Sequence, residues 1–504
     1  MFPDATMPGI DVVLPDNTWL KERSEDIVGL IVTHGHEDHL GGVTHLLRDV
    51  AVPLYGSELT MGLARHKVKE AGLENRTSFH VVADGDRLDV GPFDVEVLPI
   101  THSVPQSLCI VLHTEQGVIV HTGDFKLDSE PVDGRLTALE RLEEIQRGPG
   151  IRLLMADSTN ADKPGWSPSE STIGATFKRL FPQWKGRRLI VSCFASHLHR
   201  VQQICDVAIR EGRTIFPLGR SMVNNIRIAQ EIGVLDLPAR SVDSIDRLNE
   251  YDPEDVCVIC TGSQGEPNAA LSLLARGNHP DFSLSEDDVV LLSSHPIPGN
   301  ELPVYRIINR LTRVGCEVVH DGYEHVHTTG HAQREELHRL YRLVLPEWYV
   351  PIEGEHRMLR RNADLATEAG HAQDRSIVAS DGDQLILDDE GLRISGQIPA
   401  PYRYVDGLLD DLSVDLLEDR RKLGESGFVH VTVVLNLEDG LAAHPEISTL
   451  GWIDMERSVQ VLAELEVEVV EAVASALDED KDVESIERAI RRATGRFVGN
   501  RTRR

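Results

Sequence analysis

The sequence predicts an α/β protein of several folding units with a smaller α+β unit at its C-terminal end. Three observations point there. Short β-branched apolar runs alternate with helical-period segments up to about residue 170. The same alternation resumes after a break at Pro164, Gly165 and Trp166, and a period-two run with two amphipathic stretches closes the chain. A length of 504 residues suits roughly three units at ~100–200 residues each.

Ile27 to Thr33 is apolar and without helical period, so it reads as a buried strand; histidines follow it, and Val43 to Val50 has helical spacing. Further strands are expected at 93–100, 108–113, 117–121 and 151–156. Beyond the break, helices are expected at 172–181, 198–211, 222–232, 301–314 and 333–344. Strands are expected at 188–194, 213–217, 255–260, 288–293, 316–319 and 348–352. Ala400 to Gly407 reads as a linker. Phe428 to Leu435 alternates at period two, and helices at 455–477 and 482–496 complete the tail, joined by an acidic cluster at 478–481 that reads as a solvated connection.

Lys and Arg total 51 against 82 Asp and Glu, a formal charge of −31. Such a surface repels nucleic acid at long range, so a polyanionic substrate must meet a local basic groove or bound cations. No apolar run reaches a membrane span, and the start lacks the order of a secretory signal, so the expected location is the cytoplasm. Six cysteines in so long a chain are not a disulfide framework. Cys257 and Cys260 have redox or zinc spacing but sit in an apolar strand, on which residues three apart face opposite ways; buried core is the expectation.

The strongest chemical signal is the loop His34, His36, Asp38, His39, directly after a strand. Four nitrogen and oxygen donors within six residues suit Zn²⁺. His102 and Asp124 follow the ends of later strands, and an α/β scaffold builds metal sites by delivering ligands from several strand ends to one rim.

The pattern H-x-H-x-D-H, a later His and then Gly-Asp resembles the metallo-β-lactamase superfamily. Segments around Asp157–Asn160, His197–Arg200, Gly219–Met222, Thr261–Pro267, Pro296–Glu301 and His327–Ala332 narrow the resemblance to its β-CASP branch, specifically the ribonuclease J family. The resemblance implies an αββα metallo-β-lactamase sandwich with an inserted α/β β-CASP domain and a small α+β C-terminal domain. Implied boundaries are 1–172 for the first part of the core, 173–324 for the insert, 325–412 for the return segment and linker, and 413–504 for the tail domain.

By the same resemblance the chain is a di-zinc ribonuclease cutting single-stranded RNA by 5′-to-3′ exonuclease and endonuclease action in RNA processing and decay. One zinc falls to His34, His36 and His102 and the other to Asp38 and His39, with Asp124 bridging. His331 is the implied general acid and Asp157 its orienting partner; Asp38 is counted with them as catalytic. His327, Thr329 and Gly330, with Ser293 or Ser294, resemble the pocket for a terminal 5′-phosphate, although the family usually has Ser where Thr329 stands. Arg200 and Arg220, with His197 and His199 as further candidates, would contact the RNA backbone, a fold-stabilising role being the alternative. A homodimer or homotetramer and membership of an RNA-decay complex are also implied.

The family usually writes the last zinc ligand as His where Glu353 stands here, and His356 follows three residues later. Glu353 is the expected ligand, His356 the competitor, and a carboxylate there would admit Mn²⁺ at the second site. Both ends look short beside the family, with strands expected ahead of Met1 and beyond Arg504. Two rivals stay open: a metallo-hydrolase of small esters, thioesters or lactams, and a catalytically weak RNA-binding partner subunit.

Overall fold

The computed structural model describes residues 7–407, 412–436, 440–479 and 481–502. Readings of the extreme ends at 1–6 and 503–504, and of Asp480 in the acidic cluster, lie outside the described residues. The chain divides into two units, Pro15–Pro401 and Met1–Leu14 with Tyr402–Arg504.

The larger unit contains four sheets, one of them the antiparallel pair Asp383–Asp388 and Gly391–Gln397. A six-stranded mixed sheet runs in the order Trp348–Ile352, Ile151–Asp157, Gly117–His121, Leu108–Thr114, Phe93–Pro99, Arg87–Val90; its first three strands are parallel and the rest antiparallel. A three-stranded parallel sheet runs Leu30–Ile31, Leu54–Gly56, Phe79–Val81. Val95, Val97, Leu108 and Ile110 of the larger sheet pack with Ile31 and Tyr55 of the smaller one. Helices Leu139–Arg147, Arg334–Val344 and His356–Glu368 contribute Leu142, Leu337, Leu340 and Leu365 to the larger sheet's outer face. Helices Val43–Asp49 and Glu58–Glu70 pack on the smaller sheet's side through Leu47, Leu59 and Val68. The layers are therefore helix, sheet, sheet, helix, as the resemblance implied.

The third sheet has five parallel strands in the order Thr214–Leu218, Val256–Cys260, Leu189–Ser192, Val289–Leu292, Glu317–His320. Its central strands are continuous apolar runs because helices cover both faces. Ser171–Leu180, Leu198–Arg210 and Arg220–Glu231 pack on one face; Ala270–Ala275 and Glu301–Val314 pack on the other. Cys257 belongs to the first core and Cys260 to the second, so the two thiols lie on opposite faces. All six cysteines are buried, and burial pushes the Cys257 thiol up to about 12, consistent with inert core use.

In the smaller unit, Phe428–Thr432 pairs antiparallel with Glu446–Leu450, and helices Val414–Ser426, Met455–Asp478 and Val483–Thr502 accompany them. Val473, Ala476 and Ile486 form its helical core. Among the described residues no helix is long and apolar enough to cross a membrane. The strand expected over 27–33 shrinks to Leu30–Ile31, and the chain beyond it is tied to two neighbours: Val32 N donates to Tyr55 O at 2.8 Å, and Leu108 N to Thr33 O at 2.9 Å.

Candidate metal centre

The loop after Leu30–Ile31 ends at His36, whose extended backbone starts the short helix Glu37–Leu40. This geometry drives His34 and His36 inward and puts Asp38 and His39 on the first helical turn. His102 follows strand Phe93–Pro99, and Asp124 follows strand Gly117–His121. Gly123 has φ +61°, and a Cβ there would meet Leu108 O and Thr33 Cβ at 3.1 Å, so glycine lets the Asp124 loop close onto the histidine loop.

Three imidazole nitrogens converge. His34 Nε2 and His102 Nε2 each lie 3.1 Å from His36 Nδ1, and Asp124 Oδ2 stands 3.6 Å from His34 Nε2 and 3.8 Å from His102 Nε2. The far nitrogens are occupied: His102 Nδ1 donates to Gly330 O at 2.7 Å, and His34 Nδ1 pairs with Thr33 Oγ1 at 3.1 Å. The His102 bond fixes the tautomer and turns a lone pair toward the cluster. Burial pushes His34 and His102 well below the ordinary histidine range and His36 down to about 4, so all three are neutral donors.

A second group adjoins the first. His39 Nε2 lies 3.2 Å from Asp124 Oδ2 and 3.7 Å from Asp38 Oδ2. Burial opposes charge on His39, yet the hydrogen bond and charge of Asp124 raise it to about 9. Donor atoms of His34, His36, His102 and Asp124 lie within 4.8 Å of one another, as do those of Asp38, His39 and Asp124. The buried Asp124 Oδ1 has no protein partner. Facing lone pairs and an orphaned carboxylate oxygen are what a cation between them would satisfy, so these residues fit divalent metals.

Asp157 ends strand Ile151–Asp157. Its Oδ2 takes His331 Nδ1 at 2.7 Å, and its Oδ1 accepts from Thr159 N at 2.9 Å. Burial opposes charge on His331, and the Asp157 charge and hydrogen bond outweigh it, raising the imidazole to about 9. The ring centroids of His102 and His331 are 5.1 Å apart, so the pair adjoins the donor groups.

The remaining expected residues separate into those the structure leaves available and those it does not. His327 Nδ1 is buried without a partner, Ser294 is buried, and Thr329 Oγ1 accepts from Asn160 Nδ2 at 2.8 Å. Arg220 is exposed at the start of its helix. Arg200 and Ser293 are enclosed and bonded to each other. Arg200 is fully buried, with Nε and Nη2 on Glu170 at 2.6 and 2.8 Å and Nη1 on Ser293 Oγ at 2.6 Å and Val326 O at 2.9 Å. Ser293 Oγ donates to Val326 O at 2.6 Å. Burial and mutual bonding occupy their polar atoms, which favours the fold-stabilising alternative for Arg200, and Ser294 over Ser293.

Glu353 has φ +58°, unusual without glycine, and falls outside both donor groups and outside the cluster of Asp124, Asp157 and His331 gathered among the described residues. Its carboxyl is raised to about 7, by desolvation first and then by the charges of Asp124, Asp157 and Asp38, against the opposing charge of His39. His356 starts the next helix and is exposed. Sequence reasoning missed Ser103, whose Oγ lies 3.2 Å from His36 Nε2, and the role of Gly330 O as the anchor of His102. Ser103 directly follows His102, which was the available signal. A Cβ at Gly330 would sit 2.8 Å from the His102 ring.

A helix–sheet–sheet–helix core with imidazole and carboxylate donors at its sheet rim defines a metallo-hydrolase of the metallo-β-lactamase type. The model of the metallo-beta-lactamase superfamily matches residues 8–163, and that of the Zn-dependent metallo-hydrolase RNA specificity domain matches 317–377. The ribonuclease J beta-CASP domain matches 186–311 and the ribonuclease J C-terminal domain 415–504. Ribonuclease J of Mycolicibacterium smegmatis is 38% identical over 506 residues, covering 100% of this chain and 90% of that protein. Ribonuclease J of Synechocystis is 36% identical over 474 residues, 93% of this chain and 73% of the other. Ribonuclease J 1 of Streptococcus pyogenes is 34% identical over 506 residues, 100% and 90% respectively. The chain belongs to the ribonuclease J family.

Proposed function

We propose that the protein is a zinc-dependent ribonuclease of the cytoplasm that hydrolyses single-stranded RNA by 5′-to-3′ exonuclease and endonuclease action, in RNA processing and decay. The observation that carries this is the pair of donor groups sharing Asp124 beside the Asp157–His331 pair. His34, His36, His102 and Asp124 would hold one cation, and Asp38, His39 and Asp124 the other. Glu353 would swing in as the further ligand of the second, whose oxygen-rich set also suits Mn²⁺. When bound, the cations supply Lewis acidity toward a scissile phosphate and a water at neutral pH.

The chain's own residues do the rest. Asp157 holds His331 Nδ1 and leaves its Nε2 to give a proton to the departing ribose oxygen. Gly330 O keeps His102 in the one tautomer that offers Nε2. Ser294, His327, Thr329 and the Gly330 N–H would hold a terminal 5′-phosphate, and Arg220 the RNA backbone. The insert at 173–324 within core segments 1–172 and 325–412 would wall the cleft into a channel for a strand. The tail domain at 413–504 would support a homodimer or homotetramer and docking in an RNA-decay complex.

A second reading, a catalytically weak RNA-binding subunit, draws on Glu353 lying outside the donor groups. Decay of labelled 5′-monophosphorylated RNA, run beside hydrolysis of nitrocefin and of a thioester, tests the proposal. RNA decay alone is expected. Turnover of only the small substrates, or of none by metal-replete protein, would overturn it.

A further inference from the structure

Away from the metal centre, a groove of about 390 Å³ opens where helix Arg334–Val344 meets the Pro164–Pro168 loop, with Trp166, Arg339, Arg342 and Leu343 among its walls. Trp166 is 50% exposed, the one tryptophan among the large apolar side chains exposed in the described residues. Of the other tryptophans, Arg23 covers Trp19 at 4.3 Å, Arg375 covers Trp348 at 4.7 Å, Trp184 is buried and Trp452 is half-buried. Among the described residues no cation or ring lies over the Trp166 indole.

The loop that presents this indole is rigidly held. Arg334 N donates to Lys163 O and Glu335 N to Gly165 O, both at 3.1 Å. Ser167 N and Oγ donate to the fully buried Glu336 carboxylate at 2.7 and 2.8 Å. An apolar ring kept in solvent by so many bonds is a preorganised platform rather than a frayed loop. Arg339 and Arg342 are exposed one helical turn apart and form no ion pair among the described residues, in a chain whose acidic groups outnumber its basic ones 82 to 51. Of the groove's carboxylates, Glu143 is paired to Arg147, and Glu335, four residues before Arg339, forms no ion pair among the described residues. His338 is directed to Glu368 at 3.4 Å.

An open aromatic face beside two uncommitted guanidinium groups matches a planar base carrying a phosphate. We propose that this groove is a nucleotide-binding site separate from the metal centre, with the Trp166 indole stacking on a base and Arg339 and Arg342 holding its phosphate. It supplies a local basic surface of the kind that a chain of charge −31 needs to hold a polyanion.

The test is tryptophan emission of the full chain, the Trp166 component being the difference between the natural protein and Trp166→Ala. Adenosine 5′-monophosphate and a short phosphorothioate oligoadenylate are the probes. Quenching of the Trp166 component is expected, and equilibrium dialysis with radiolabelled probe should show Trp166→Ala weakening groove binding roughly ten- to a hundredfold. Arg339→Ala with Arg342→Ala should remove the mononucleotide response and lower the slope of log K against log salt by about 1.4 for the oligomer. A response to the oligomer alone identifies an RNA strand as the source; a response to both identifies free nucleotides as ligands too; either supports the site. His34→Ala should leave the quench unchanged, which separates this site from the metal-centre reading. No Trp166-dependent quench with either probe, or one indifferent to both arginines, overturns the proposal.

Discussion

Replacing Arg200 by Met discriminates between a structural and an RNA-contacting role for this residue. The guanidinium lies wholly inside the protein against Glu170, Ser293 and Val326. Methionine fills most of the volume but strands a buried carboxylate, whose remaining partners are Gln203 Nε2 at 2.9 Å and His197 Nε2 at 3.4 Å. Breaking one side of such a pair costs about 3–5 kcal/mol, and the bond from Gln203 places the expected loss near the lower end. Ser293 O also loses its Arg200 donor, whereas Val326 O keeps the Ser293 hydroxyl. Urea unfolding reads this directly as a lower midpoint at unchanged slope. Adding Glu170→Gln to Arg200→Met should restore part of the loss, since the stranded charge is then gone. An unchanged midpoint, together with weaker RNA binding and a salt slope lower by about 0.7, would show that Arg200 meets phosphate after all.

Three further outcomes are expected. His197, packed against Glu170 and Arg200 with His199 close by, is pushed down to about 4 by burial. Its stabilising contribution is complete above the unfolded value of 6.5 and is lost as the unfolded chain takes up protons below it, by about 2 kcal/mol at pH 5. Unfolding of His197→Phe should lack that part of the acid dependence, and an identical profile would contradict the burial argument. Gly330→Ala should displace His102 and weaken metal binding roughly 10–100-fold in a chelator competition, whereas unaltered affinity would remove the anchor from the account. His331→Ala should lower kcat about 10²–10⁴-fold on RNA and much less on a p-nitrophenyl phosphodiester, whose leaving group needs no proton. Equal losses on both substrates would reject His331 as the acid.

Much of the donor set was readable in the sequence because four donors sit within six residues after a strand, a spacing that leaves few structural alternatives. Asp157 and His331 are 174 positions apart, and only the closed fold gives their 2.7 Å contact. The role of Arg200 stayed open in the sequence for a physical reason. Helix Leu198–Arg210 buries His199, Arg200 and Gln203 together with its leucine and valines, and the carboxylate that makes this tolerable, Glu170, precedes that helix in the chain without any periodic signal. The anchor at Gly330 was invisible because a carbonyl oxygen does the work and every residue carries one. Cys257 and Cys260 were legible because strand geometry alone sends them to opposite faces.

The most direct test of the metal centre is anomalous diffraction at the zinc and manganese edges from crystals of the full chain, paired with His34→Ala. Two peaks are expected, one among His34, His36, His102 and Asp124 and one among Asp38, His39 and Asp124, with the first lost in the variant while the fold stays intact. Peaks elsewhere, or none in metal-replete crystals, would contradict it.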